Sequence, residues 1–325
     1  MPAPPPLLAS RKSPLARVQA EAVAAALRGA DPALAVGFLW QRSTGDRVQD
    51  RPLAEVGGKG LFTKELDEAV LSGAASAAVH SLKDVPTELP EGLVVAATPA
   101  RAPVEDVLLS GAGVASLAAL PAGATLGTSS PRRAAQALRV NLGLRVVLLR
   151  GNVGTRRAAV GLGEPGAASA TPCDATVLAR AGLTRLGVAV DEPGFAVLSL
   201  EESLPAVTQG VIGVVCREDD AETRARLAGL NDPATAEAAA AERSLVHRLG
   251  ADCHSPVAVL ATREAASGAS GGGWRVRARV LSPDGRTCLE ADRHAGSAAD
   301  AAGGAADDLL AAGAAQVLAA AGGAA

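Results

Sequence analysis

Aromatic residues are nearly missing from this chain. Its 325 residues include three Phe, two Trp and no Tyr. That excludes a binding surface built from many stacked rings or bases. Cysteine is sparse as well. Cys173, Cys216, Cys253 and Cys288 are widely separated and form no CxxC pair. The spacing argues against a structural zinc site and a disulfide scaffold, and no metal is expected. No surplus of positive charge is present either, with 31 Lys+Arg against 34 Asp+Glu and a formal net charge of −3. The broad cationic field of a nucleic-acid binder is therefore absent. No run of about eighteen strongly apolar residues occurs, and the Ala/Gly segments are too weakly hydrophobic to span a bilayer. No apolar stretch precedes Arg11-Lys12, so no secretion signal is expected. The expectation is a soluble cytoplasmic protein with neither nucleic acid nor membrane as partner.

What is present in quantity is small apolar residues. Hydrophobic content is 48%, much of it alanine, so the core must be built from Leu, Val and Ala at short packing distances. The length predicts two or three domains. Leu7 to Arg11 reads as a strand, and Ser13-Pro14 as the N-cap and first position of a helix. Strands are predicted at 35–39, 77–79 and 93–97, with a helix over 61–75. The alternation continues with a strand ending at Gly127, a helix from Pro131 capped by Ser129 or Ser130, and strands over 145–149 and 175–178. Residues 162–173 read as a surface turn. Further on come a strand over 211–216, a helix over 234–249 and a strand over 274–281. The turn Ser282-Pro283-Asp284-Gly285 follows, and an Ala-rich helix begins at Ala298. Strands alternating with helices imply an α/β protein.

Arginine clusters beside small residues at strand ends, where open α/β sheets bind ligands. Arg132-Arg133 follow Gly127-Thr128-Ser129-Ser130-Pro131, and Arg150 and Arg156 bracket Gly151-Asn152-Val153-Gly154-Thr155. Small residues allow close approach, and guanidinium forks suit carboxylates or phosphates. The pattern suggests a cleft for a small ligand with several negative charges. The plainer reading is a solvated helix start with surface arginines. The glycine loop at 151–155 lacks the lysine and spacing of a Walker loop and is not a dinucleotide fingerprint, so nucleotide binding is not indicated. Lys83-Asp84 could serve a reacting cation or form a surface ion pair. His80 reads equally as a structural histidine, and Lys59 as a lid lysine or a solvated loop charge. Phe62 is placed to cover a cleft. Cys253, in Gly250-Ala251-Asp252-Cys253-His254-Ser255-Pro256, sits in a turn-like stretch beside a histidine. It could be nucleophilic or inert. On these residues alone, a receptor for a di- or tricarboxylate remains an alternative to an enzyme.

Taken together, several motifs in one order resemble the porphobilinogen deaminase (hydroxymethylbilane synthase) family. They are SRKSPLA at 10–16, GGKGLFTKEL at 57–66, AVHSLKDVP at 78–86, GTSSPRR at 127–133, LRGNVGTR at 149–156 and LPAVTQGVIGVVCR at 204–217. The resemblance implies an α/β fold with two periplasmic-binding-protein-like lobes of mixed sheets, plus a third α/β domain carrying a cofactor cysteine. Residues 1–99 with 203–223 would form the first domain, 100–202 the second and 224–325 the third. It further implies a dipyrromethane cofactor held by a thioether to Cys253. Four porphobilinogen molecules would add to it, each losing ammonia, before hydrolysis releases a linear tetrapyrrole. Asp84 matches the catalytic aspartate, with Lys83, Lys59 and Phe62 in supporting positions. Ser13, Lys83, Asp84, Ser129, Arg132, Arg133 and Arg150 match cofactor-binding residues. Arg11, Ser13, Arg150, Arg156 and Arg185 match substrate-binding residues. A monomer is expected, since no long heptad or exposed apolar helix argues for assembly.

The sequence departs from the family pattern at a few points. Thr208 stands where glycine is usual, Ala251-Asp252 replace glycines, and Arg180 replaces a small or apolar residue. The implied chemistry suits the residues. Each pyrrole unit brings two carboxylates, which many arginines would neutralise. An aspartate accepting pyrrole N–H bonds would stabilise spreading positive charge. A covalent primer would make each addition intramolecular, and domain hinging would make room for the growing chain.

Overall fold

The computed structural model describes residues 5–47, 60–164, 166–167, 169–252, 255–264 and 272–322. In chain order the strands are β1 (Leu7–Arg11), β2 (Gly37–Gln41), β3 (Ala77–Ser81), β4 (Leu93–Ala97), β5 (Asp106–Leu109), β6 (Thr125–Gly127), β7 (Arg145–Val147), β8 (Ala175–Ala179), β9 (Phe195–Val197), β10 (Ile212–Arg217), β11 (Val257–Arg263), β12 (Trp274–Leu281) and β13 (Cys288–Ala295).

The described residues divide into two compact units. One comprises the described parts of Met1–Val48, Gly58–Ala102 and Gly210–Ala236, and the other those of Pro103–Gln209 and Glu237–Ala325. The first unit is built on a mixed sheet ordered β2-β1-β3-β10-β4. In it β1 runs parallel to both neighbours, and β10 antiparallel to both of its own. The second unit repeats the plan as β7-β6-β8-β5-β9, with β6 parallel to its neighbours and β5 antiparallel to its own. The antiparallel insert thus comes late in the chain for the first sheet and early for the second. Two mixed sheets with one strand order are the architecture expected from the sequence.

Strand periodicity explains how the first sheet is covered. Leu8 enters a core with Ala20, Val23, Ala24 and Leu27 of the helix Pro14–Ala30, while Ala9 faces the opposite core with Leu66 and Val70 of the helix Lys64–Leu71. Successive side chains point to opposite faces, so a sheet buried on both sides reads as continuously apolar. Alanines on sheet and helix let the layers approach closely, which compensates for the scarcity of large rings. Ser13 caps the first helix by accepting a hydrogen bond from the Ala16 amide, and Pro14 occupies its first turn, as predicted.

Among the boundaries that moved, two have a visible cause. The strand predicted over 35–39 lies at Gly37–Gln41, because pairing with β1 aligns Leu7 with Gly37. The helix predicted over 61–75 is shortened to Lys64–Leu71. Gly60 and Gly73 adopt φ of +79° and +75°, conformations that close a turn at either end.

The second unit also holds an antiparallel sheet ordered β11-β12-β13, joined by the predicted turn at 282–285. The helix Ala298–Ala311 packs Ala301, Ala302, Ala305 and Leu309 inward, and the helix Pro233–Arg248 contributes Leu245 and Val246. Glu242 on the latter helix is fully buried. It accepts the Thr208 amide at 2.6 Å and the Ala261 amide at 2.8 Å, tying the segment before Gln209 to β11. Among the described residues, no helix is long and apolar enough to cross a membrane.

Candidate active site

In the first unit a recess opens at the C-terminal ends of the parallel strands β1 and β3. Arg11, Ser13, Phe62, His80, Lys83 and Asp84 line it. Lys83 and Asp84 occupy a single 3₁₀ turn, Leu82–Asp84, directly after β3. Leu82 anchors that turn. Its side chain is buried, and its amide donates to the Val211 carbonyl at 3.0 Å. Gly213 makes the space, since a Cβ there would stand 2.7 Å from Leu82 Cδ1. With Leu82 held inward, Lys83 and Asp84 are left half-buried at the rim.

Arg11 Nη1 lies 3.7 Å from Asp84 Oδ2, and the Arg11 guanidinium stacks over Phe62 at 4.4 Å from the ring centroid. Phe62 in turn packs against Gly45, where a Cβ would fall within 2.2 Å of the ring. Gln19 Nε2 donates to Ser81 Oγ at 2.9 Å, fixing the last residue of β3. His80 is buried. Its Nε2 lies 3.8 Å from Asp67 Oδ1 on the helix Lys64–Leu71. Burial, and then the Arg11 charge, lower the His80 imidazole to about 4. Burial raises the Asp67 carboxyl to about 6 against the Thr63 hydroxyl, and Glu68 adds to the rise.

In the second unit, cationic residues follow the strand ends. Ser130 caps the helix Pro131–Val140 by accepting the Arg133 amide, which decides between the two serines considered for that role. Ser129 instead accepts a hydrogen bond from Arg156 Nη2 at 3.3 Å, and Arg156 Nε donates to the Gly151 carbonyl at 3.1 Å. Asn152 caps the helix Val153–Ala159 that carries Arg156. Burial, followed by the charges of Arg133 and Arg150, lowers Arg156 to about 10. Arg150 is half-buried. Arg185 ends the short helix after β8, and burial lowers its guanidinium below the ordinary value.

Arg132 and Arg133 are buried around Asp106, the first residue of β5. Arg132 donates from Nη2 to Asp106 at 2.9 Å and from Nη1 to the Leu204 carbonyl at 2.6 Å. Arg133 donates to both oxygens of Asp106, at 3.3 Å from Nε and 2.7 Å from Nη2. Ser203 Oγ and Gln209 Nε2 complete the shell at 2.9 and 3.0 Å. Sequence reasoning gave Asp106 no role. The available signal was a carboxylate opening the apolar run DVLL, since a buried charge requires partners.

Lys59 and Cys253 lie outside the described residues. Of the residues flanking Cys253, Asp252 donates its amide to Ser255 Oγ at 3.1 Å, and that hydroxyl donates to Asp252 Oδ1 at 3.0 Å. Arg180, which received no role, pairs with Glu105 at 3.3 Å.

Grouped cations with serine and backbone donors fit a ligand carrying several carboxylates. The depression of Arg156 by burial and then by the charges of Arg133 and Arg150 is the mark of a cation placed among cations and poised for anions. Fold and site residues therefore define an α/β protein that presents cations, one carboxylate and flanking hydroxyls at its strand ends. Residues 7–225 match the family model described as porphobilinogen deaminase, dipyromethane cofactor binding domain, and residues 236–310 match the model for the C-terminal domain of the same enzyme. The chain belongs to the porphobilinogen deaminase family.

A porphobilinogen deaminase from Sphingopyxis alaskensis is 47% identical over 282 residues, covering 86% of this chain and 84% of that protein. One from Ralstonia nicotianae is 45% identical over 296 residues, covering 91% of this chain and 84% of that protein. A solved nutrient binding protein from Burkholderia cenocepacia bound to methionine is 14% identical with a TM-score of 0.40, covering 70% of this chain and 92% of that one. Membership makes the chain an enzyme, a transferase of tetrapyrrole biosynthesis with a dipyrromethane cofactor.

Proposed function

We propose that the enzyme condenses four porphobilinogen molecules in sequence onto a dipyrromethane primer tethered at Cys253, with loss of four ammonia, and then releases hydroxymethylbilane. The observation that carries this reading is the pairing of Asp84 with Arg11 in the turn that follows β3, in a recess that also holds Ser13 and Lys83. When bound, the dipyrromethane supplies a covalently anchored pyrrole chain whose terminal α-carbon is the nucleophile.

The residues of this chain then divide the work. Asp84 accepts pyrrole N–H bonds and stabilises positive charge as it spreads over the ring. Lys83 and Ser13 bind carboxylates beside it. Arg11, held by Phe62, orients an incoming acidic side chain. Ser129, Arg133, Arg150, Arg156 and Arg185 neutralise further carboxylates, with bidentate geometry that lysine lacks. Arg132 acts one step back, by fixing Asp106 and through it Arg133. Lys59 belongs to the same set as a further cation. The three-part division at residues 1–99 with 203–223, 100–202 and 224–325 is proposed as the functional one, and the enzyme as a cytoplasmic monomer.

Intact-protein mass spectrometry before and after porphobilinogen addition tests the reading. The expected result is a resident pyrrole mass followed by successive pyrrole increments. A bare polypeptide mass that substrate never changes would overturn it.

A further inference from the structure

One wall of the first unit's recess is not explained by ligand binding alone. On β3, Ala78 packs with Leu66 and Val70 under the helix Lys64–Leu71, and His80, two residues further on, falls on the same face. The ring therefore stands between the recess it lines and Asp67 of that helix. The two side chains are 3% and 7% exposed. Neither His80 Nε2 nor Asp67 Oδ1 has a hydrogen-bond partner among the described residues. Two buried polar atoms facing each other across 3.8 Å require a reason, because burial without satisfaction is costly.

The charges around the pair are few. Arg11 approaches from β1, Glu68 neighbours Asp67 on its own helix, and Lys83 and Asp84 share the recess. From β10 the residue opposite His80 is Gly213, and the helix Pro14–Ala30 offers the uncharged Gln19. Burial and Arg11 keep the ring neutral at physiological pH, so Asp67 is the member that takes up a proton first. With Asp67 ionised, the ring proton belongs on Nε2, facing the carboxylate, and Nδ1 is an acceptor. With Asp67 protonated, its hydroxyl faces Nε2 as a donor, a hydrogen bond for which the pair must close from 3.8 Å, and the ring proton moves to Nδ1 through solvent exchange, so Nδ1 becomes a donor. One proton enters the pair and the imidazole stays neutral throughout.

We propose that Asp67 and His80 form a one-proton tautomer switch behind the recess, with Asp67 as a positioning residue that decides whether the imidazole offers the ligand an acceptor or a donor. The functional half rests on the pyrrole reading above. Pyrrole nitrogens are donors only, so the acceptor state is the productive one.

The test is a ¹⁵N-histidine titration of the full chain, with the His80 ring, one of four histidines, assigned through His80→Gln. The wild-type ring is expected to be protonated on Nε2 at high pH and to pass to the Nδ1 form as pH falls through about 6. Asp67→Asn is expected to hold a single tautomer between about pH 5 and about pH 8. Asp67→Leu, similar in volume and without polar atoms, serves if the Asn variant does not fold. In the holoenzyme, wild-type kcat should fall about tenfold one pH unit below the transition, and that of Asp67→Asn less than about twofold. A wild-type His80 tautomer that never changes, or an unaltered transition in both Asp67 variants, would overturn the switch. The ring titration does not depend on a bound pyrrole, so a missing pyrrole mass would overturn the ligand assignment alone.

Discussion

Asp106 holds Arg133 in a two-point grip, accepting from Nε at 3.3 Å and from Nη2 at 2.7 Å. Both side chains are buried, and Arg132 shares the same carboxylate. Burial alone would raise the Asp106 carboxyl, but the two guanidinium charges and their hydrogen bonds hold it well below the usual carboxylate range. Removing one member of such a cluster leaves uncompensated buried charge. Asp106→Ala should therefore cost about 3–5 kcal/mol in urea unfolding. Because the folded-state value is depressed, the stabilisation is complete above the unfolded value of about 3.8 and is lost as pH falls below it. Asp106→Asn should accordingly show a flatter dependence of stability on pH in acid than the wild type. Parallel pH curves for the two would contradict this account.

Asp84 is expected to act mainly through its charge. Asp84→Asn keeps the shape of the turn that Leu82 anchors and removes the carboxylate beside Arg11. The variant should retain its covalent pyrrole mass while turnover falls by about 10²–10³-fold. Rapid-quench assays showing wild-type turnover would reject the electrostatic role.

Cys253→Ser should lack the covalent pyrrole mass, because an alcohol does not replace the thiolate as nucleophile at neutral pH. Denatured wild type should give a pink colour with an acidic aldehyde reagent, and the serine variant should not. A serine variant that keeps the mass would move the attachment to another residue.

Thr208 is the non-glycine residue with positive φ among those described, at 54°. Its amide is used by Glu242, while its hydroxyl donates to the neighbouring Val207 carbonyl at 2.8 Å. A β-branched residue in this region is strained. Thr208→Gly should stabilise the protein by about 0.5–1 kcal/mol, with relief of strain exceeding the added freedom of the unfolded chain. A lowered urea midpoint would show that the threonine side chain contributes more to packing than its conformation costs.

Local chemistry was legible residue by residue. Ser13-Pro14 and Ser130-Pro131 read correctly as helix starts, because a cap is a relation among neighbours in sequence. The turn at 282–285 was legible for the same reason. The shortened helix before Leu71 was not, because apolar spacing at 61–75 does not register where Gly60 and Gly73 turn the chain. Thr208 was visible as a departure from glycine, but its strain became visible only with its backbone angle.

The ordered motifs by themselves pointed to the family to which the chain belongs, and they nominated the residues proposed to carry its chemistry. Tertiary structure alone decided how those charges are spent. It turned Arg132 inward, shared Asp106 between two arginines more than twenty residues away in sequence, and set Asp67 against His80. The reason is physical. The state of a charged group depends on its distance from water and from other charges, and that distance is fixed only when remote segments pack.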